Sequence, residues 1–192
     1  MIDIDLNIPP NILKEINNTL LEYRDKQEQS FVDNGKIKTD TRNCVSCDIP
    51  PNNWFVGMLA WYVQRLNDQY YHYDLTTFDN DCLQYITYIK NHYYKWHIDV
   101  NTPPPIHDLP KSNSFRPNHT LFQRKLSFSL MLNDDYEGGE LQVMSDFDQM
   151  VTIRPKAGTL VVFDSRSRHR VRPVKSGRRD SLVGWMVGPQ WK

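Results

Sequence analysis

The sequence predicts a mixed α+β chain, mainly β. Short antiparallel strands form a sandwich or barrel of the jelly-roll kind, backed by helices on the N-terminal side. Three observations carry this expectation. Apolar residues recur at helical spacing only before about residue 70. Beyond it, about eight short runs rich in β-branched and aromatic residues alternate with turn residues. No repeat or low-complexity segment interrupts the pattern. Two facing sheets are the simplest way to bury so many short strands, and a jelly roll is one such solution.

In chain order, Pro9 and Pro10 stand before Ile12, Ile16, Leu20 and Tyr23, an apolar set at helical spacing. A second helix is expected over about 53–69. Its stripe is read as Trp54, Met58, Trp61, Tyr62, the Arg65 stem and Leu66, lying against an apolar surface. Strands are expected at 82–89, 93–100, 125–133, 140–144, 151–154, 160–163, 170–174 and 181–187. Turns separate them at Glu137-Gly138-Gly139, Ala157-Gly158, Asp164-Ser165 and Ser176-Gly177. Within 125–133, Ser127, Ser129 and Met131 share one face, and Leu126, Phe128, Leu130 and Leu132 share the other. The first face suits a polar pocket and the second suits helices packed behind the sheet. A loop over 101–122, holding Pro103, Pro104, Pro105, Pro110 and Pro117, has the length of a lid or binding loop.

The 192 residues suit one domain spanning 1–192, with about 1–70 as helical support and about 71–192 as the β core. Lysine plus arginine equals aspartate plus glutamate at 23 each, so no global field argues for nucleic acid or a membrane. The opening MIDIDLNIPP has neither a basic segment nor a long apolar one, and no run has the length of a spanning helix. A soluble, reduced, cytoplasmic protein is the expectation. Three cysteines leave at least one unpaired. Cys44-Val45-Ser46-Cys47 lacks the second pair a zinc site would want, so it reads as two ordinary loop cysteines.

The chemistry concentrates in Tyr94-Lys95-Trp96-His97-Ile98-Asp99-Val100. Residues two apart in a strand share a face, so His97 and Asp99 point into one volume. Imidazole plus carboxylate suits a borderline divalent metal. The best third ligand is His169, which follows a strong strand and a tight turn. His107 and His119 lie on the proline-rich loop without defined geometry. Two histidines and a carboxylate form a facial triad that leaves coordination positions open. On the last strand Arg179, Ser181, Val183, Trp185 and Val187 share a face. An arginine pointing inward needs an anion. A bound dicarboxylate is one reading, with Ser181 adding a hydroxyl; a salt bridge to an acid of another strand is an equal one.

These blocks together resemble the prolyl 4-hydroxylase-like branch of the 2-oxoglutarate/Fe(II) dioxygenases, including its small stand-alone bacterial and phage members. The resemblance runs from about Cys82 to Trp191. It takes in Gln84…Tyr88…Tyr94…His97-x-Asp99, then Arg124-Lys125-Leu126-Ser127…Leu132-Asn133-Asp134…Glu137-Gly138-Gly139-Glu140-Leu141. It continues through Gly158-Thr159-Leu160-Val161-Val162-Phe163 to His169-x-Val171-x-Pro173-Val174, and ends on Gly177-x-Arg179 and Trp185.

The resemblance implies a double-stranded β-helix, a cupin-like barrel. It implies His97, Asp99 and His169 as Fe(II) ligands and Arg179 as partner of the distal carboxylate of 2-oxoglutarate. Tyr88, Ser127, Ser181 and Trp185 would lie about the cosubstrate. The implied reaction uses O2, releases succinate and CO2, and hydroxylates a substrate C–H bond, with ascorbate as reductant. A prolyl residue in a peptide or protein is the favoured substrate, with Tyr94, Trp96 and Arg166 flanking it. Another side chain, a free amino acid, nucleic-acid demethylation and a non-enzymatic metal-binding barrel stay open. The basic stretch Arg166, Arg168, Arg170, Arg172, Lys175, Arg178 and Arg179 reads mainly as strand alternation facing water. Nucleic acid is not an expected partner, since Ser181–Val187 lacks the second arginine that demethylases of the superfamily usually carry.

Overall fold

The computed structural model describes residues 2–30, 38–79, 82–100, 122–145, 149–154 and 156–191. The expected lid lies outside these residues except for Phe122, as do His107 and His119.

The N-terminal part holds β1 (Ile2–Asn7), α1 (Pro10–Leu20), β2 (Glu28–Gln29), β3 (Arg42–Asn43), β4 (Val45–Ile49) and α2 (Trp54–Leu66). After it come β5 (Thr77–Phe78), β6 (Leu83–Tyr88), β7 (Tyr93–His97), β8 (Phe122–Met131), β9 (Glu137–Gly138) and β10 (Leu141–Met144). The chain closes with β11 (Met150–Ile153), β12 (Thr159–Asp164), β13 (His169–Val171), β14 (Val174–Ser176) and β15 (Arg179–Pro189). The larger sheet runs β1-β12-β8-β15-β6-β4-β2, with β5 also paired to β15. The smaller runs β11-β10-β13-β7-β3, and β14 pairs β9. All these ladders are antiparallel. This is the expected mainly-β fold with helices behind it.

The division of β8 into two faces holds. Leu126, Phe128, Leu130 and Leu132 join one core with Leu13, Ile16 and Leu20 of α1 and Phe55, Leu59 and Val63 of α2. Met131 belongs to a second core, between the sheets, with Ile86, Tyr88, Val161, Phe163, Leu141, Val143 and Val171. Fully burying each such side chain contributes about 1.5–3 kcal/mol, so both faces of the larger sheet are held by packing.

Several expectations need correction. The first seventy residues are not only helical support: β1 extends the larger sheet along β12, and β4 extends it along β6. The alternation Ile2, Ile4, Leu6 against Asp3, Asp5, Asn7 was the strand signal. On α2 the buried set is Phe55, Val56, Leu59, Val63 and Leu66, while Trp54 and Trp61 are about half exposed. Of the expected stripe, Leu66 is buried and Met58 and Tyr62 pack against the core, whereas Trp54 and Trp61 lie at its edge. β7 stops at His97 rather than running on to Val100. The strand expected over 170–174 splits into β13 and β14 around Arg172 and Pro173, where proline has no N–H for a ladder.

Cys47 lies within β4, not in a loop, and Cys44 is the single residue between β3 and β4, three positions earlier and so turned to the opposite face. Cys44 is fully buried in the inner core, whereas Cys47 packs against the helix-side core. Both are free thiols, which their opposed directions explain.

Candidate active site

His97 ends β7, His169 begins β13, and the two are direct cross-strand partners. Their rings lie 4.1 Å apart between centroids. Each imidazole donates its Nδ1–H to a backbone carbonyl two residues earlier: His97 to Lys95 O at 2.8 Å, His169 to Ser167 O at 3.0 Å. That fixes the tautomer and leaves each Nε2 lone pair free to bind a metal. His97 Nε2 is 3.6 Å from Asp99 Oδ1, and His169 Nε2 is 3.2 Å from Asp99 Oδ2. The possible ligand atoms of the three residues lie within 4.8 Å of one another.

Asp99 has left the ladder, and Ser165 holds it in place. The Asp99 and Val100 N–H groups both donate to Ser165 O, at 2.9 and 3.1 Å. Ser127 Oγ donates to Asp99 Oδ2 at 2.8 Å and lies 3.0 Å from Ser165 Oγ. Strand alternation therefore identified the right pair, although a loop contact rather than a ladder positions its second member. Ser127 thus orients the Asp99 carboxylate, one of three groups that could hold a metal ion.

Electrostatics fit a cation site. Burial works against the Asp99 charge, but His169, then His97 and Arg124, hold its carboxyl well below the usual range. Burial, then the charge of His169, lowers His97 to about 4, so its Nε2 is free of a proton at neutral pH. Burial also works against charge on His169, but Asp99 overcomes it and raises the imidazole. A buried carboxylate beside two imidazoles is an anion in want of a cation, and a divalent metal satisfies all three groups.

Between Tyr94 and His97 the β7–β13 register shifts by a bulge. The two residues, three apart, consequently share a face, and their rings stack at 3.5 Å and 17°. Arg42 lies over the other part of this column, 5.0 Å from the Tyr94 ring. Trp96 instead faces a cavity of about 540 Å³ that Met144, Asp164, Arg166 and Arg168 also line. Arg166 binds Asp164 at 2.6 Å and lies 3.9 Å above the Trp191 ring.

The other end of the inner face is cationic. Arg179 begins β15 and is 1% exposed. Its Nη1 donates to Ser181 Oγ at 3.0 Å and Nη2 lies 3.4 Å from Met131 Sδ. The guanidinium carbon stands 5.2 Å over the Tyr88 ring, and Nε has no hydrogen-bonding partner among the described residues. Among the described residues no carboxylate forms an ion pair with Arg179; the salt-bridge reading is not met there. Its neighbour Arg178 shows the contrast, pairing with Asp180 at 2.9 Å on the opposite side of the strand.

Tyr136 was not expected here. Its hydroxyl is buried beside Arg179; burial raises its phenol, and the Arg179 charge and a hydrogen bond to it work against that rise. Gly139, at φ +64°, makes the approach possible: a Cβ there would stand 3.0 Å from Arg179 Cδ and 3.2 Å from Tyr136 Cε2. The available signal was an aromatic residue just before Glu137-Gly138-Gly139.

The strand register measures the space between the two ends. On β15, Ser181 pairs with Met131 of β8, Val183 with Ser129 and Trp185 with Ser127. Arg179 thus reaches the Ser181–Met131 row, and Asp99 contacts the Ser127–Trp185 row. One row, Ser129–Val183, separates them. Trp185 is itself held by Arg124, whose guanidinium lies 3.9 Å over the indole, binds Asp79 Oδ2 at 2.6 Å and reaches the Asp99 carbonyl at 3.5 Å. Arg124 and Asp79 were also missed as site residues; only their place in the fold reveals them.

Residues 83–187 match the 2OG-Fe(II) oxygenase superfamily. A PKHD-type hydroxylase of Xylella fastidiosa is 35% identical over 103 residues, covering 52% of this chain and 41% of that protein. One from Hyphomonas neptunium is 41% identical over 63 residues, 32% of this chain and 28% of that protein. The chain spans less than half the length of the curated relatives it matches. Among solved structures, a Pseudomonas putida prolyl-4-hydroxylase superposes with TM-score 0.72 at 21% identity, covering 97% of this chain and 91% of that one. A Trichoplax adhaerens prolyl hydroxylase, solved with a hypoxia inducible factor peptide, gives 0.73 at 17% identity, covering 97% and 82%. Likeness at this identity speaks for the fold, while the matched family spans more than half of the chain and includes the His97, Asp99 and His169 cluster. On that ground the chain belongs to the 2OG-Fe(II) oxygenase superfamily.

Proposed function

We propose that this oxygenase hydroxylates prolyl residues in a peptide or protein, consuming 2-oxoglutarate and O2 and releasing succinate and CO2. Membership of the superfamily implies Fe(II), 2-oxoglutarate and O2. One observation carries the site assignment: a two-histidine, one-carboxylate cluster and a buried arginine with no acid partner among the described residues face each other across a single row of side chains. A small dicarboxylate suits such a span. The solved prolyl hydroxylase relatives, one of them with a peptide, support the substrate class.

His97, Asp99 and His169 hold Fe(II) in this reading. Iron bound there supplies the redox chemistry that couples oxidative decarboxylation of 2-oxoglutarate to hydroxylation of a C–H bond. Arg179 binds the distal carboxylate through its fork, with Ser181 and Tyr136 as hydroxyl donors and the Tyr88 ring beneath. Ser127 keeps Asp99 oriented. Trp185 closes the iron side of the row, and Trp96 and Arg166 flank the substrate approach. Ascorbate would be the reductant that keeps bound iron in the Fe(II) state.

The test is succinate formation from 2-oxoglutarate under air with Fe(II) and ascorbate, with and without proline-containing peptides. Iron-dependent succinate that a peptide accelerates, and that disappears in His97→Ala, is the expected result. Well-folded, iron-loaded protein that forms no succinate and binds no 2-oxoglutarate in calorimetry would leave a metal-binding barrel as the better account.

A further inference from the structure

The turn between β12 and β13 has two sides. On one it holds the candidate metal cluster: Ser165 O accepts from the Asp99 and Val100 N–H groups, and Ser167 O accepts from His169 Nδ1. On the other, Arg166 and Arg168 line the cavity of about 540 Å³ with Trp96, Met144 and Asp164. Trp96 precedes His97 on β7 and Arg168 precedes His169. The cavity therefore lies at the rim of the site, beside the cluster rather than over it.

The arginines of this stretch differ in what they already hold. Arg166 is tied to Asp164 through Nε and Nη2, at 3.0 and 2.6 Å, and rests on the Trp191 ring. Arg170 donates to Gln142 Oε1 at 2.6 Å and covers the Trp96 ring at 4.7 Å. Arg172 stands 3.8 Å from Glu140, and Arg178 pairs with Asp180. Arg168 is exposed and lines the cavity, and its side chain has no acid or hydrogen-bonding partner among the described residues. The cavity thus offers one uncommitted positive charge, together with an aromatic ring, a thioether and a neutralised Asp164–Arg166 pair. A carboxylate on a short aliphatic stem is complementary to that set: the guanidinium fork binds its two oxygens, and the ring and thioether cover the stem. A phosphate backbone fits less well, since it takes several cations in a row and the neighbouring arginines are engaged.

We propose that this cavity takes a glutamate of the peptide substrate, a few residues from the target proline, with Arg168 as its partner. This rests on the peptide-hydroxylase reading and deepens it. An extended chain advances about 3.3–3.6 Å per residue, so a peptide with its proline at the metal cluster reaches the rim within a few positions. Arg168 is then a specificity-determining residue, while Asp164 and Trp191 hold Arg166 as a fixed wall of the same cavity.

The test is a set of proline peptides in which a single alanine, glutamate or lysine stands two, three or four positions before or after the proline, read by KM for succinate formation. Glutamate at one of these positions is expected to lower KM about threefold to tenfold relative to alanine, the worth of a partly screened charge-assisted hydrogen bond, and added salt reduces the advantage. In Arg168→Gln the glutamate and alanine peptides become equivalent, and in Arg168→Glu lysine is preferred at that position. Equal KM across the wild-type series, a glutamate advantage that survives Arg168→Gln, or no lysine preference in Arg168→Glu overturns the pairing while leaving peptide hydroxylation intact. Stronger competition by a short single-stranded oligonucleotide than by a glutamate peptide without proline overturns it in favour of phosphate. Acceleration by free proline but by no peptide overturns both readings.

Discussion

At the scale of single residues, Arg179 makes the sharpest prediction. A buried cation without a carboxylate is a cost that the bound dicarboxylate offsets. Arg179→Met keeps the bulk and removes the charge. It is expected to weaken 2-oxoglutarate binding by two orders of magnitude or more, about 3 kcal/mol, while leaving iron binding in place. It is also expected to leave the ligand-free protein as stable as the wild type or more so. An arginine that served only a protein salt bridge would do the reverse, so calorimetry with 2-oxoglutarate and a thermal melt together decide. Gly139→Ala acts from beneath the same guanidinium. Positive φ and the 3.0 Å approach to Arg179 Cδ predict about 1–3 kcal/mol of destabilisation and a raised KM for 2-oxoglutarate. Asp164 predicts a pH effect. Its buried carboxylate accepts from Tyr73 Oη at 2.6 Å and from the Arg166 side chain. Burial works to raise it, but these bonds win and hold it below the usual range. A carboxyl lowered in the folded state contributes stability above its unfolded value of about 3.9, and loses it as pH falls through the folded value. Asp164→Asn should therefore cost about 1–3 kcal/mol near neutral pH and progressively less in acid, read by urea melts across the range.

At the scale of elements, β8 separates stability from chemistry along one strand. Phe128 faces the helices and Ser127 faces Asp99. Phe128→Ala should cost about 3–5 kcal/mol of stability and leave the iron affinity of the folded fraction unchanged. Ser127→Ala should do the opposite, with a melt close to wild type and iron affinity down about tenfold or more. Iron titration alongside denaturant unfolding checks both. The alternation that supports this contrast was legible in the sequence because a regular ladder preserves period two. The same rule placed Arg179, Ser181 and Trp185 together. It failed where regularity fails: the bulge that stacks Tyr94 on His97 breaks parity, and no spacing announces it. The α2 face was legible in part: Met58, Tyr62 and Leu66 pack on the core as expected, while Phe55, Leu59 and Val63 take the closest helix–sheet contact and Trp54 and Trp61 are left half exposed.

At the scale of the molecule, the candidate metal cluster was readable because His97 and His169 sit at strand ends and Asp99 lies only two residues beyond one of them, although a contact with Ser165 is what holds it there. Tyr136, Arg124 and Asp79 were not, since each acts through tertiary neighbours far along the chain. The N-terminal segment was half legible: its helices follow from periodicity, but the joining of β1 and β4 to the larger sheet depends on edges that only the fold creates. That segment is consequently part of the main sheet. Ile16→Asp, a charge placed in the fully buried contact between α1 and the sheet, is expected to abolish cooperative unfolding and 2-oxoglutarate binding together.

The opposed directions of Cys44 and Cys47 give the protein a pair of native reporters, one for each side of its central wall. Cys44 answers to the layer that holds Tyr88 and, beyond it, Arg179; Cys47 answers to the helical backing. Burial raises the Cys47 thiol to about 11, which slows its intrinsic reaction but not the opening that governs access. Adding 2-oxoglutarate should therefore slow alkylation of Cys44 and leave Cys47 at its own pace. Mass spectrometry of the two peptides then shows, without any introduced label, which wall of the barrel breathes and which the cosubstrate stills.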